Sequence, residues 1–115
     1  MHSAQDILQT IGKTPLVRIN RLNPNQNATM FAKVEGFNPT GSIKDRIALS
    51  MVNQAEIEGK LTPGKIIIEP TSGNTGVALA MIGCIKGYEV EIVMSEAVSS
   101  ERIQMVKAFG GKVTL

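Results

Sequence analysis

The spacing of hydrophobic residues changes in a regular way from Met30 onward, and it predicts alternating strands and helices. Residues 30–35 have the composition and length of a strand. Residues 43–58 carry apolar side chains at helical spacing, and Gly59 is expected to end that helix. Residues 65–69 contain an unbroken apolar run, which is typical of a strand buried on both faces of a parallel sheet.

The second half of the chain continues this alternation. Residues 75–86 are apolar almost all round, which predicts a buried helix that closes at Gly87. Residues 90–94 are predicted to form a strand, residues 100–109 a helix, and residues 112–115 a last strand. The order predicts the α/β class, with a parallel sheet, right-handed crossovers and helices in a three-layer arrangement.

The chain is expected to divide into two parts. Residues 1–29 are less regular and are expected to contain a helix, a turn and a short strand, with residues 11–18 predicted to form the turn that leads into the strand. Residues 30–115 are predicted to form a βαβαβαβ domain that is incomplete at its carboxyl end. In such a sheet, ligands bind where loops leave the carboxyl ends of the strands, and three loops qualify: residues 36–42, 70–74 and 95–99.

Lys44 lies in the first turn after the 36–42 loop and shares a helix face with apolar residues. A helix start and an apolar surrounding both disfavour a cation, so they favour the neutral amine that condenses with an aldehyde. The position alone is equally consistent with a lysine whose stem packs on the core while its head reaches water. Gly36 and Gly41 have the spacing of a phosphate-binding loop, but Ser42 and Ile43 stand where that motif requires Lys and then Ser or Thr.

A second polar segment, the 71–76 loop, lies between a predicted buried strand and a predicted buried helix and reads Thr71-Ser72-Gly73-Asn74-Thr75-Gly76. Its glycines allow close approach of the backbone, its hydroxyls and amide are donors, and the helix start adds free N–H groups. We interpret the loop as a cradle for a small anion such as a carboxylate. The alternative is ordinary helix capping by Ser72 or Asn74. The loop is not a GxGxxG dinucleotide motif.

Composition excludes several classes of function. The chain has 115 residues, of which 43% are hydrophobic and 19% charged, as in an ordinary globular protein. The formal charge is +2 and the twelve Lys and Arg residues are scattered, which argues against nucleic-acid binding. No secretory signal or membrane helix is predicted. The lone Cys84 indicates a cytoplasmic protein and is expected to be a core residue. With a single cysteine and His2 as the only histidine, no metal site is expected.

Residues 38–46 and 69–76 together resemble the signature segments of the cysteine synthase (O-acetylserine sulfhydrylase) and cystathionine β-synthase family. Residues 11–18, 99–102 and 108–111 agree with the same family, although Ser95 stands where its members usually have proline. The resemblance implies a pyridoxal 5'-phosphate (PLP) enzyme of fold type II. Lys44 would hold the cofactor and remove the Cα proton, and Asn74 would bond the oxygen on the cofactor ring. The substrate carboxylate would be held by the 71–76 loop, through Thr71, Ser72, Gly73, Asn74 and Thr75.

The reaction implied by the resemblance is β-replacement on an activated serine, giving cysteine from O-acetylserine and sulfide, in a homodimer. A cystathionine β-synthase reaction is the alternative, and the leaving group stays open. The glycine-rich loop for the cofactor phosphate is expected beyond Leu115, so the 115-residue chain alone is expected to be inactive. A non-catalytic amino-acid-binding domain is a further possibility, but it has no need of an amine at Lys44. Asp45 and Arg46 are expected to pair structurally.

Overall fold

The computed structural model describes residues 3–115, and its first elements form a small antiparallel sheet. A short 3-10 helix, Ile7–Thr10, precedes strand β1 (Leu16–Ile19), which pairs with strand β2 (Met30–Lys33). The prediction that β2 begins the parallel sheet is therefore wrong, because β2 bonds only to β1. The division at residue 29 stays a prediction, and the β1–β2 pair crosses it.

The parallel sheet has three strands: β3 (Ile66–Pro70), β4 (Glu89–Val93) and β5 (Lys112–Thr114). Their order is β3-β4-β5, and both pairs are parallel. Helix α1 (Lys44–Ile57) precedes β3, while α2 (Asn74–Lys86) and α3 (Ser100–Ala108) connect the strands. The α/β class and the order of elements from α1 onward agree with the prediction, and each end differs by at most one residue.

Helix α2 forms the centre of the core. Eight consecutive residues from Gly76 to Gly83 are buried. The two glycines at the ends of this run allow α2 to approach the sheet closely: a Cβ on Gly83 would lie 2.2 Å from Val90 Cγ2, and one on Gly76 would lie 2.9 Å from Ile92 Cγ2. Any larger side chain at these two positions would push the helix away from β4.

The helices cover one face of the sheet. Val90 and Ile92 point toward α2 and are buried, whereas Ile66, Ile68 and Val93 lie on the opposite face and are 49%, 59% and 38% exposed. Within residues 3–115, the third layer of the predicted arrangement is not formed, and the expectation that residues 65–69 are buried on both faces is wrong. The reason is that α2 packs on the face that carries Val90 and Ile92, and within residues 3–115 nothing covers the opposite face.

Cys84 lies on α2 and is exposed, so its predicted assignment to the core is wrong. The apolar composition of α2 did not predict this exposure, because a helix that is apolar on all sides gives no indication of which side faces outward.

In the part of the chain that the structure describes, no helix has both the length and the apolar character required to cross a membrane.

Candidate functional site

The 71–76 loop and the 95–99 loop meet at the carboxyl edge of the sheet. The Thr71 N–H donates to Val93 O at 2.9 Å, and the Ser95 side chain accepts from the Ala97 N–H at 3.3 Å in the turn that follows β4. Between the loops lies an open cavity of about 420 Å³. Ser72 and Gly73 line it from one side, and Ser95, Val98, Ser99 and Arg102 line it from the other. Two of the three loops predicted to form the site are thus neighbours, and the 36–42 loop does not line this cavity.

The first turn of α2 receives no side-chain cap. Its N-cap residue is Gly73, and no side chain bonds the helix amides there. The Thr71 hydroxyl accepts instead from the Gly73 N–H at 3.1 Å, which holds the turn before the helix. Capping by Ser72 or Asn74 is therefore the wrong interpretation of the loop. The free amides of the first helical turn give this end a partial positive charge that suits an anion.

The side chain of Asn74 is bonded by a residue from the first turn of α3. Arg102 Nη1 donates to Asn74 Oδ1 at 3.0 Å. A Cβ on Gly73 would lie 4.0 Å from the same Arg102 nitrogen, so the guanidinium also lies beside the loop backbone. No local sequence pattern predicts this role for Arg102, because its partner Asn74 lies 28 positions earlier in the chain.

Lys44 is the first residue of α1 and is half-buried. Its N–H donates to Ser42 Oγ at 3.1 Å. Next to it, the fully buried Asp45 accepts from the Thr40 N–H at 2.8 Å and from the Thr40 hydroxyl, which ties the preceding loop to the helix. Among residues 3–115, no hydrogen bond involves the Lys44 amine or joins it to the 71–76 loop.

A polar network anchors the lysine loop to the chain before β1. Arg46 donates to Glu35 through Nε at 2.8 Å and through Nη2 at 3.0 Å, and Nη2 also donates to Gly12 O at 2.9 Å. Asn38 donates to Glu35 and accepts from the Gly12 N–H at 2.8 Å. The pairing predicted for Arg46 exists, but its partner is Glu35, a residue that sequence inspection did not single out.

The charge of Glu35 follows from these bonds. The Arg46 guanidinium is the main cause that lowers the pKa of Glu35 from 4.5 to about 2, and bonds from Asn38 and Thr14 add to it against the opposing effect of burial. The hydrogen bonds to Glu35 in turn raise the pKa of Arg46. Both partners are therefore charged at neutral pH, and the network fixes the start of α1, which carries Lys44, against residues 12–14.

Helices α1 and α2 pack against each other. Near their other ends, Glu56 accepts from Lys86 Nζ at 2.6 Å and from the Tyr88 hydroxyl at 2.8 Å. Lys44 precedes Glu56 by as many residues as Asn74 precedes Lys86, and at 1.5 Å per residue this places each about 18 Å from that contact. The helices thus run in the same direction, and their starts bring Lys44 and Asn74 to the same end.

This end of the molecule presents an amine, an amide, several hydroxyls and the free N–H groups of a helix start. Among residues 3–115, no cluster of three His, Cys, Asp or Glu side chains could hold a metal ion, and His2 lies outside the described residues. The arrangement can offer a nucleophilic amine at the same end of the helix pair as a site for a small anion.

Comparison with known proteins points to one family. A family model described as pyridoxal-phosphate dependent enzyme matches residues 7–115. The chain is 50% identical over 107 residues to cysteine synthase B of Salmonella typhimurium, covering 93% of this chain and 35% of that protein. It is 50% identical over 110 residues to cystathionine beta-synthase of Rattus norvegicus, covering 94% of this chain and 20% of that protein.

Solved structures agree with the sequence relatives. The fold matches a cysteine synthase from Entamoeba histolytica with a TM-score of 0.94 at 43% identity, over 99% of this chain and 35% of that one. The chain spans about a third of the length of the cysteine synthase relatives that it matches. Residues 3–115 therefore have the fold of the amino-terminal portion of these enzymes.

Proposed function

This chain belongs to the pyridoxal-phosphate dependent enzyme family, and from that membership we propose that the complete protein carries out β-replacement on an activated serine. The proposed reaction forms cysteine from O-acetylserine and sulfide. The observation that carries the proposal is that Lys44 and an uncapped, hydroxyl-rich helix start are the first residues of two helices that run in the same direction. The similarity to cysteine synthases of Salmonella typhimurium and Bacillus subtilis supports the same reaction.

The residues at this end fit PLP. Lys44 offers an amine with no hydrogen-bond partner among residues 3–115, and the Asn74 amide keeps donors free because its oxygen already accepts from Arg102. When bound, PLP supplies an aldehyde for the lysine and an aromatic ring that withdraws electrons from the substrate Cα. We propose that Lys44 and Asn74 hold this cofactor.

The remaining residues of the 71–76 loop are proposed to hold the substrate. The hydroxyls of Thr71, Ser72 and Thr75 and the backbone amides of Asn74 and Thr75 would donate to the α-carboxylate, and Gly73 would let the backbone approach it closely. Donors to a charged acceptor are stronger than neutral pairs, so this loop would supply much of the binding free energy. Lys44, at the same end, would move the proton at Cα.

Mapping of the cofactor tests this proposal. The complete protein is incubated with PLP, reduced with borohydride and digested, and the pyridoxyl group is located by mass spectrometry. We expect it on Lys44. Lys33 and Lys86 are internal controls, because their amines already donate to Thr14 O and Glu56 at 2.6 Å. A label on either of these lysines, or none on any, would refute the assignment.

A second candidate is the condensation of serine with homocysteine, which the 50% identity to a cystathionine beta-synthase favours. The two reactions are separated by product analysis. Cysteine formed from O-acetylserine and sulfide supports the first, and cystathionine formed from serine and homocysteine supports the second. Binding of amino acid without either product would instead indicate a non-catalytic binding protein.

We also propose a cytoplasmic homodimer. The lone cysteine, Cys84, is exposed, and an exposed thiol is suited to a reducing compartment. The dimer rests on the family resemblance. Sedimentation of the complete protein tests it, with twice the subunit mass expected.

A further inference from the structure

The contact between Arg102 and Asn74 determines which way the Asn74 amide faces. An asparagine side chain has a carbonyl acceptor and an NH₂ donor of similar shape, so its orientation follows from its partners. Arginine has donors only. The Arg102 Nη1 at 3.0 Å must therefore face Oδ1, and the Asn74 NH₂ is turned away from Arg102.

The position of Arg102 is unfavourable for its own helix. Arg102 is in the first turn of α3, where the helix dipole disfavours a cation. Within the described part of the chain, no salt bridge includes Arg102 to offset this, since the four that occur involve Arg46, Lys60, Lys86 and Lys112. A stabilising role in α3 does not account for the residue, whereas the bond to Asn74 does.

We propose that Arg102 is a positioning residue that holds the Asn74 amide with its NH₂ group outward as a hydrogen-bond donor. This rests on the proposed function, in which Asn74 bonds an oxygen of PLP. Without Arg102 the amide can rotate and present Oδ1, which repels an oxygen acceptor. The guanidinium also polarises the amide and makes the NH₂ a stronger donor, because linked hydrogen bonds strengthen one another.

A double-mutant cycle on the complete protein tests the proposal. Arg102→Ala, Asn74→Ala and the double variant are prepared without cofactor and titrated with PLP, with the dissociation constant and the absorption maximum of bound PLP as readouts. Arg102→Lys keeps the charge and one donor. Arg21→Ala, an exposed arginine of the amino-terminal segment, is the matched control.

We expect Arg102→Ala to weaken PLP binding about three- to tenfold and to shift the absorption maximum in the same direction as Asn74→Ala. The double variant should match Asn74→Ala, because Arg102 acts through Asn74. Arg102→Lys should recover part of the loss, and Arg21→Ala should match wild type.

Two results would overturn the proposal. One is an Arg102→Ala protein with a lower melting temperature but unchanged PLP affinity and spectrum, which indicates a structural role alone. The other is additive effects in the double variant, which means that Arg102 acts independently of Asn74. If wild type itself binds no PLP, the proposed function fails as well, whereas wild-type binding with an unchanged Arg102→Ala removes only the positioning role.

Discussion

Replacing Ser72 or Thr75 by alanine removes one hydroxyl from the start of α2, and the structure separates its effect on stability from its effect on binding. Neither hydroxyl bonds another group within residues 3–115, and neither caps the helix. We therefore expect the free energy of unfolding to change by no more than about 0.5 kcal/mol, as for surface substitutions that break no contact.

Substrate binding should respond much more strongly. If each hydroxyl donates to the substrate carboxylate, its loss should cost about 1.5–3 kcal/mol, or roughly ten- to a hundredfold in affinity. Thr71→Val should differ, because the Thr71 hydroxyl accepts from the Gly73 N–H at 3.1 Å, and its removal should lower both affinity and stability. Thr62→Ala, in an exposed turn, is the matched control.

The assay is titration of the PLP-loaded complete protein with O-acetylserine, together with thermal unfolding of the same variants. Lower affinity at constant melting temperature for Ser72→Ala and Thr75→Ala is the expected result. Affinity equal to wild type in all three loop variants would refute the carboxylate site, and a lower melting temperature for Ser72→Ala would refute the uncapped helix start.

Three other predictions concern packing, pH and the isolated chain. Gly83→Ala should lower the free energy of unfolding, measured in urea, by about 1–2 kcal/mol. The added methyl group would clash with Val90 at an overpacking cost of about 1–3 kcal/mol, which exceeds the gain in helix propensity from glycine to alanine. Gly36→Ala is the control, because a methyl group there would meet open space. Because the pKa of Glu35 is lowered, its contribution to stability is present above pH 4.5 and is lost as the pH falls toward about 2. Glu35→Gln should therefore reduce the loss of unfolding free energy over this pH range, as measured by urea unfolding at a series of pH values. Parallel curves of unfolding free energy against pH for wild type and variant would contradict this. The 115-residue chain by itself should form no cysteine from O-acetylserine and sulfide. It spans about a third of the length of its cysteine synthase relatives, and the face of β3 that carries Ile66 and Ile68 is exposed. A measured turnover by this chain would contradict the prediction.

Patterns of neighbouring residues were sufficient to predict the local elements and to single out the candidate site residues. Apolar spacing located α1, α2 and α3 to within two residues, and the glycines Gly59 and Gly87 fixed where the first two of them end. Lys44 and the 71–76 loop were recognisable because an amine at a helix start and four polar residues before an apolar helix are both unusual. Each of these signals depends on residues close together in the chain.

Contacts between residues far apart in the chain became apparent only from the folded structure. The spacing within β2 cannot show that its partner is β1, since a strand pattern does not specify the neighbour that bonds it. The Glu35–Arg46 pair and the Arg102–Asn74 bond join residues 11 and 28 positions apart, and they depend on how helices and loops pack. The exposure of one face of β3 also depends on packing. Three consecutive isoleucines predict a strand buried on both faces, but helices cover only one face, so Ile66 and Ile68 on the other face are exposed.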